Sequence, residues 1–243
     1  MDNRVLRSFV PKTSLNPKIW EKADGSVKMK RDVRDKLLEI AYQFIEFLDV
    51  DVVVTDIILT GSLSNYNWSR YSDFDLHIVA NFSQYNEKQI GLYEKFFNLK
   101  KILFNQKHDI KLFGYEVELY VQNEVEAHFS SGVYSVLFDD WSNKPKKESV
   151  NIDRKLLKKK TKQWMNIIDE VIDNIEDEDL ESAKEILSKY KEKLKKYRTS
   201  GLEKNGEYST ENLVFKILRR NGYIEKLHDT SIGLLDDRLS MNQ

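Results

Sequence analysis

The stretch from Leu59 to Val79 reads LTGSLSNYNWSRYSDFDLHIV, and the fold of the surrounding chain can be worked out from it. It begins at the end of an apolar run, which Gly61 interrupts. Further on, polar side chains at Asp73, Asp75 and His77 alternate with apolar ones, as in a strand with one buried face. We therefore predict two strands joined by a polar loop that starts with glycine and serine.

Periodic segments on both sides of this stretch predict an α/β fold. Apolar residues recur every three or four positions over Arg31–Leu48, which predicts a helix, and a β-branched run then ends at Thr60. A second helix is predicted over about 90–103, and a third strand over about 114–121. From about residue 153 all apolar stripes are helical. The predicted architecture is an α/β (α+β) core followed by an all-helical C-terminal subdomain.

The same changes of pattern divide the chain into three predicted segments. Residues 1–30 show no clear period and are predicted to form an N-terminal arm. Residues 31–150 are predicted to form the core, and residues 151–243 the helical C-terminal subdomain.

Two carboxylates and a Gly-Ser pair are the chemically useful groups of the deciding stretch. Strand geometry places Asp73 and Asp75 on one face, about 6.5–7 Å apart at the backbone, where they can hold hard cations. The N–H groups of a helix starting after Gly61, with the Ser62 hydroxyl, would bind phosphate. Taken alone, the Gly-Ser pair is explained by a capped turn and the two aspartates by a solvent-facing strand. Their order along the chain favours a cation–phosphate site.

A third carboxylate on a neighbouring strand would complete a site for two metal ions. Glu118 lies in the predicted third strand, and Glu116 shares its face. The choice between them stays open, with Glu118 favoured. Ser72 is predicted to orient Asp73 or to cap the loop.

These residues resemble a known family. Gly61-Ser62 followed by Ser72-Asp73-Phe74-Asp75-Leu76 resembles the motif of the polymerase-beta-type nucleotidyltransferase superfamily. Val117-Glu118-Leu119 resembles the third acidic position of that superfamily. The resemblance covers about residues 31–121, and it implies a nucleotidyltransferase core with a short mixed sheet flanked by helices.

The resemblance also implies an activity, in which a nucleoside monophosphate moves from an NTP such as ATP to an acceptor hydroxyl and pyrophosphate leaves. Asp73, Asp75 and Glu118 would be the catalytic and metal-binding residues, for Mg²⁺ with Mn²⁺ as a substitute. Gly61, Ser62 and Ser72 would bind the nucleotide. The acceptor stays open between an RNA 3′ end, another nucleotide, a small molecule and a protein side chain.

Two departures from the family pattern support an alternative function. Tyr66 stands where many relatives have a second glycine, and the third acid is Glu118 rather than the commoner aspartate. The alternative is a catalytically inactive nucleotide-binding or protein-interaction module on the same fold.

The sequences around the motif, including His128 and Ser131-Gly132-Val133-Tyr134-Ser135, are similar to uncharacterised phage-encoded members of the superfamily.

Composition excludes several classes of protein. The chain of 243 residues carries 39 basic and 40 acidic residues, so a histone-like nonspecific nucleic-acid binder is excluded. It has no cysteine, which excludes disulfides, zinc thiolates and thiol nucleophiles. No window approaches the ~20 apolar residues of a membrane span, so no membrane partner is expected and a cytoplasmic location is predicted, the host cytoplasm for a phage protein.

One basic run has two interpretations that the sequence leaves open. Over residues 154–162 it contains Arg154, Lys155, Lys158, Lys159, Lys160 and Lys162. It is either the solvated face of a helix, which is the commoner case, or a track for phosphates. This run mildly favours a nucleic acid as the acceptor.

Overall fold

The computed structural model describes residues 3–23, 25–83, 85–126, 130–147, 150–175 and 178–240, so that His128 lies outside the described residues. Contacts between Cα atoms divide the chain into a sheet unit, Val10–Ser149, and a helical unit, Met1–Phe9 with Val150–Gln243. In chain order the helices and strands are α1 Asn3–Arg7, β1 Trp20–Ala23, β2 Ser26–Met29, α2 Arg31–Leu48, β3 Val54–Thr60, β4 Phe74–Ala80, α3 Glu87–Lys107, β5 Lys111–Leu112, β6 Tyr115–Asn123, β7 Val133–Ser135, β8 Asp140–Asn143, α4 Arg154–Asn174, α5 Leu180–Asn205, α6 Thr210–Arg220 and α7 Tyr223–Leu239.

The sheet unit is built on six strands in the order β5-β6-β4-β3-β7-β8. β4 and β6 pair in parallel, and the other neighbouring strands pair antiparallel. A mixed sheet flanked by helices, followed by a helical region, confirms the fold class predicted from the sequence.

The α2 helix covers the sheet with the apolar stripe that its period predicts. It begins at Arg31 and ends at Leu48, where Asp49 takes the left-handed conformation that stops a helix. Each fully buried Leu, Ile or Phe side chain contributes about 1.5–3 kcal/mol, so this stripe is a large share of the core. Its buried residues are Val33, Leu37, Ile40, Ala41, Phe44 and Leu48.

Alternation along β4 fixes the two faces of the sheet. Phe74, Leu76 and Ile78 are fully buried in the core. Asp75 and His77 lie between them in sequence and are half-buried. Because successive strand side chains point to opposite faces, burial of the apolar set directs the polar set to the other face.

Residues 10–30 pack within the sheet unit. β1 and β2 form an antiparallel hairpin that pairs Trp20 with Met29, and Ile19 is completely buried. The Trp20 indole N–H donates to the Leu63 carbonyl at 2.8 Å, so this segment also holds the loop that follows β3. Two four-residue strands are too short to show a period, which is why the sequence indicated only an arm. The functional division of the chain into three segments stays a prediction.

Helix N-caps and a close contact between α5 and α6 stabilise the helical unit. Asp153, Asp179 and Ser209 accept hydrogen bonds from the first turns of α4, α5 and α6. Gly201 lies in α5 where a Cβ would come within 2.5 Å of the Glu211 Cβ, so a glycine lets α5 approach the start of α6. No described helix combines the length and the apolar composition needed to cross a bilayer.

Candidate active site

Three carboxylates meet on the polar face of the sheet. Asp73 immediately precedes β4, Asp75 lies in β4 and Glu118 lies in β6. Each residue offers a carboxylate oxygen, and these oxygens all lie within 4.8 Å of one another. The three residues are half-buried, so they are accessible to a solute.

The parallel pairing of β4 with β6 brings this cluster together. It sets Asp75 directly opposite Glu118, with Phe74 opposite Val117 and Leu76 opposite Leu119 on the buried face. Glu116 is not part of the cluster, and its carboxylate lies 3.9 Å from the Lys111 ammonium with a side chain 68% exposed. The geometry thus groups Glu118 with the two aspartates.

Gly61 lies against the cluster and has a conformation that demands glycine. Its φ is +72° and its ψ −159°, a combination that residues with a Cβ rarely adopt. A Cβ at this position would be 1.7 Å from the Asp75 Oδ2 atom. The close approach follows from the pairing of Thr60 with Asp75 at the end of β3. The glycine therefore lets the backbone that follows β3 pass beside a carboxylate.

Ser62 and Ser72, both predicted to bind nucleotide, contact each other. The Ser62 hydroxyl donates to Ser72 Oγ at 2.7 Å, and Ser72 Oγ also accepts from the Ser69 N–H at 2.9 Å. This hydrogen bond joins the two ends of the loop, because Ser62 directly follows Gly61 and Ser72 directly precedes Asp73. The structure thus brings together the residues that the sequence singled out, while their roles stay a prediction.

A helix after Gly61 was predicted, and the structure shows instead a single 3₁₀ turn, Ser62–Ser64. The Gly61 carbonyl accepts from the Ser64 hydroxyl at 2.9 Å and from the Asn65 amide at 2.7 Å. Such side-chain bonds to nearby backbone compete with helix formation. The buried Ser64 hydroxyl is also 2.7 Å from the Gly132 carbonyl, which anchors the turn. Phosphate binding by a helix N-terminus is therefore not available at this loop.

The chemistry of the donors suits a divalent cation. Carboxylate oxygens are the ligands that Mg²⁺ and Mn²⁺ prefer, and three such groups would repel one another without a cation between them. The residues present therefore fit a divalent metal held by oxygen.

Comparison with known proteins agrees with this geometry. A family model described as a nucleotidyltransferase domain matches residues 41–199. The chain belongs to the nucleotidyltransferase domain family. The match includes Gly61, Ser62 and the whole carboxylate cluster, and it confirms the resemblance to the polymerase-beta-type superfamily. No curated protein and no solved structure significantly matches the chain. The likeness to phage-encoded members stays a prediction.

Tyr66, one of the departures from the family pattern, is compatible with the fold of the loop. The described non-glycine residues with positive φ are Asp49, Phe113 and Asp139, so Tyr66 does not need the freedom of a glycine. Its carbonyl accepts from the Lys12 N–H at 2.6 Å, which adds a tie between residues 10–30 and the loop.

Sequence reasoning missed a tyrosine beside the cluster of this nucleotidyltransferase domain. The Tyr120 hydroxyl donates to Glu118 Oε2. Burial raises the pKa of this phenol, and the negative charges of Glu118, Asp75 and Asp73 raise it further. Tyr120 is therefore a neutral donor that holds the Glu118 carboxylate. Its position two residues after Glu118, on the same strand face, was the available signal.

Lys101 approaches the same tyrosine from α3. Its ammonium lies 3.5 Å from the centre of the Tyr120 ring. Burial lowers the pKa of Lys101, and the charges of Glu118 and Asp75 oppose that change. The two residues border a cavity of about 340 Å³, lined by Glu94, Phe97, Asn98, Lys101, Tyr120, Val121 and Glu126.

His77 shares the strand face of Asp75 and is not part of the carboxylate cluster. Its Nδ1 is 2.6 Å from Gln122 Oε1, and its ring packs against Tyr120 with centroids 4.8 Å apart. It thus supports the residue that holds Glu118.

Proposed function

We propose that the protein is a metal-dependent nucleotidyltransferase that moves a nucleoside monophosphate from an NTP to an acceptor hydroxyl. The observation that carries this proposal is the cluster of Asp73, Asp75 and Glu118 beside Gly61, inside the stretch that matches the family. In the transfer, the acceptor oxygen forms a bond to the α-phosphorus. The bond from that phosphorus to the bridging oxygen breaks, and pyrophosphate leaves.

The residues of the cluster take distinct roles in this proposal. Asp73, Asp75 and Glu118 hold Mg²⁺ or Mn²⁺, with oxygen donors suited to either ion. Such ions supply charge stabilisation to the entering and leaving oxygens. Glu118 also accepts the proton of the attacking hydroxyl, and Tyr120 fixes the direction of that carboxylate.

The nucleotide is held by the loop after β3. The Gly61 backbone and the Ser62 hydroxyl contact the β- and γ-phosphates. When Ser62 donates to phosphate, the 2.7 Å hydrogen bond between the two serines reverses, so that the Ser72 hydroxyl donates to Ser62 Oγ and keeps Ser62 in place. Because a single 3₁₀ turn and not a longer helix follows Gly61, serine hydroxyls carry more of this contact than they would at a helix N-terminus.

The remaining parts of the proposal rest on the family pattern. ATP is the proposed nucleotide, an RNA 3′ end or another nucleotide the proposed acceptor, and the cytoplasm the proposed location. The proposed domains are an arm over 1–30, the catalytic core over 31–150 and a helical subdomain over 151–243.

The test is label transfer from each α-labelled NTP with Mg²⁺ and then Mn²⁺, with and without total RNA. The test variant is Glu118→Gln, and Glu116→Gln is its matched control on the same strand. Losing the proton acceptor should lower transfer by about 100-fold or more, while the control retains it. Equal activity of Glu118→Gln and wild type would contradict the assignment. Magnesium-dependent NTP binding without turnover would support the inactive-module alternative.

A further inference from the structure

A cavity in the helical unit is lined almost entirely by cations. It has a volume of about 250 Å³ and is bordered by Leu6, Arg7, Arg154, Lys155 and Lys158. Apart from Leu6, which is buried, the lining residues are exposed. No carboxylate borders this cavity among the residues that the structure describes. Four cationic side chains around one cavity give it a positive potential that attracts an anion.

A second group of cations lies at the end of α6. Burial lowers the pKa of the Lys216 ammonium; the single carboxylate of Glu207 opposes this, and Arg220, Arg198 and Arg219 lower the pKa further. On a helix, residues 216, 219 and 220 share one face, so their charges crowd together. This group has a net positive charge at a partly buried position.

The two groups of cations meet at the segment that follows α1. The Arg220 guanidinium donates to the Ser8 hydroxyl at 2.7 Å and lies 4.6 Å from the centre of the Phe9 ring. Leu6 and Arg7, which border the cavity, immediately precede these two residues. The contacts of Arg220 with Ser8 and Phe9 thus connect the two groups, which we call together the basic surface: Arg7, Arg154, Lys155, Lys158, Arg198, Lys216, Arg219 and Arg220.

We infer that the basic surface binds the phosphate backbone of a single-stranded nucleic acid, the acceptor of the transfer proposed above, on which this inference rests. Cations spread over two groups require an anion repeated along one molecule, and a phosphodiester chain carries one charge per nucleotide. Arginine guanidinium groups suit phosphate oxygens because their planar fork donates two parallel hydrogen bonds. The Arg198 guanidinium, 4.5 Å from the centre of the Phe215 ring, adds a flat surface of the kind on which bases stack.

The test measures binding of a short fluorescein-labelled single-stranded RNA to the full-length protein by anisotropy, over a series of salt concentrations. EDTA and the absence of NTP keep binding independent of catalysis. The test variant is Lys155→Glu/Lys158→Glu, at the cavity. The matched control is Lys159→Glu/Lys160→Glu, which makes the same change of charge at exposed lysines of the same helix that do not border the cavity.

Loss of two phosphate contacts should reduce the slope of log K against log salt by about 1.4 and weaken binding roughly tenfold near physiological salt. The control should keep the wild-type slope. Equal weakening in both variants would overturn the inference, because it would indicate diffuse charge. Displacement of the RNA by polyglutamate or by inorganic triphosphate at equal charge concentration would also overturn it.

A parallel measurement separates this inference from the proposed function. Asp75→Asn should bind the RNA as wild type does, since binding does not use the carboxylate cluster. RNA binding at the cavity without any nucleotidyl transfer would leave the inference standing and remove the proposed function. Nucleotidyl transfer to another acceptor, without RNA binding, would leave the proposed function standing and overturn the inference. Circular dichroism of each variant checks that the helical unit is folded.

Discussion

Replacement of Gly61 by alanine tests the central geometric feature of the site. The added Cβ would lie 1.7 Å from Asp75 Oδ2 and 2.8 Å from its Cγ, so the carboxylate or the strand must move. The backbone, at φ +72° and ψ −159°, adds strain of about 1–3 kcal/mol for a residue with a side chain. With a further 1–3 kcal/mol for the overlap, Gly61→Ala should lower the free energy of unfolding by about 2–6 kcal/mol.

Two assays read the effect of this substitution. Thermal unfolding followed by tryptophan fluorescence reports mainly on the sheet unit, because Trp20, Trp68 and Trp141 lie within Val10–Ser149 and only Trp164 lies in the helical unit. A loss of about 3 kcal/mol corresponds to a fall of roughly 10 °C in the midpoint. Mn²⁺ binding, measured by electron paramagnetic resonance, should weaken because the carboxylate of Asp75 is displaced.

Matched variants separate the two terms of this prediction. Gly91→Ala places a Cβ in the α3 helix where nothing lies within 4 Å, so it should stabilise the protein by about 1 kcal/mol. In an Asp75→Ala background the overlap with Oδ2 and Cγ disappears and only the 3.2 Å contact with the Cβ of residue 75 remains, so Gly61→Ala should cost little more than the backbone strain. If Gly61→Ala unfolds at the wild-type temperature and binds Mn²⁺ as tightly as the wild type does, the loop does not approach the Asp75 carboxylate as closely as described.

Two further predictions follow from hydrogen bonds of single residues. Tyr120→Phe removes the donor that holds Glu118 and should weaken Mn²⁺ binding about tenfold, whereas unchanged affinity would show that the bond has no part in the site. Asp179 caps α5, and its hydrogen bonds to Ser182 lower its pKa. Its stabilisation of the helix is therefore present at neutral pH and is lost as the pH falls through the lowered pKa. Asp179→Ala should therefore lower the urea midpoint of the helices at neutral pH, and lower it less once the pH falls through the lowered pKa, as urea unfolding followed by circular dichroism would measure. An equal loss at neutral and acid pH would contradict it.

The sequence predicted the parts of the fold whose side chains repeat with a clear period. The α2 helix was predicted with both of its ends, because the buried stripe runs its whole length. β7 and β8, of three and four residues, are too short for a period to show. The 3₁₀ turn after Gly61 escaped prediction for another reason, since it depends on Ser64 reaching the Gly132 carbonyl far along the chain. Tertiary contacts of this kind have no local signal.

The choice between Glu116 and Glu118 shows how the site depends on strand register. Both residues lie on the same face of β6 in the sequence pattern, so alternation alone could not decide between them. The parallel pairing places Glu118 in the carboxylate cluster, because Asp75 opposes Glu118 when Leu76 opposes Leu119 in the core, and the role of Glu118 as a metal ligand stays a prediction. A slip of two residues would bring Glu116 opposite Asp75 and keep every side chain on its present face. Such a slip would also move Tyr115 into the place of Val117 and carry the Tyr120 hydroxyl away from the cluster. Packing of the buried face of β6 therefore determines which glutamate of the other face lies in the carboxylate cluster.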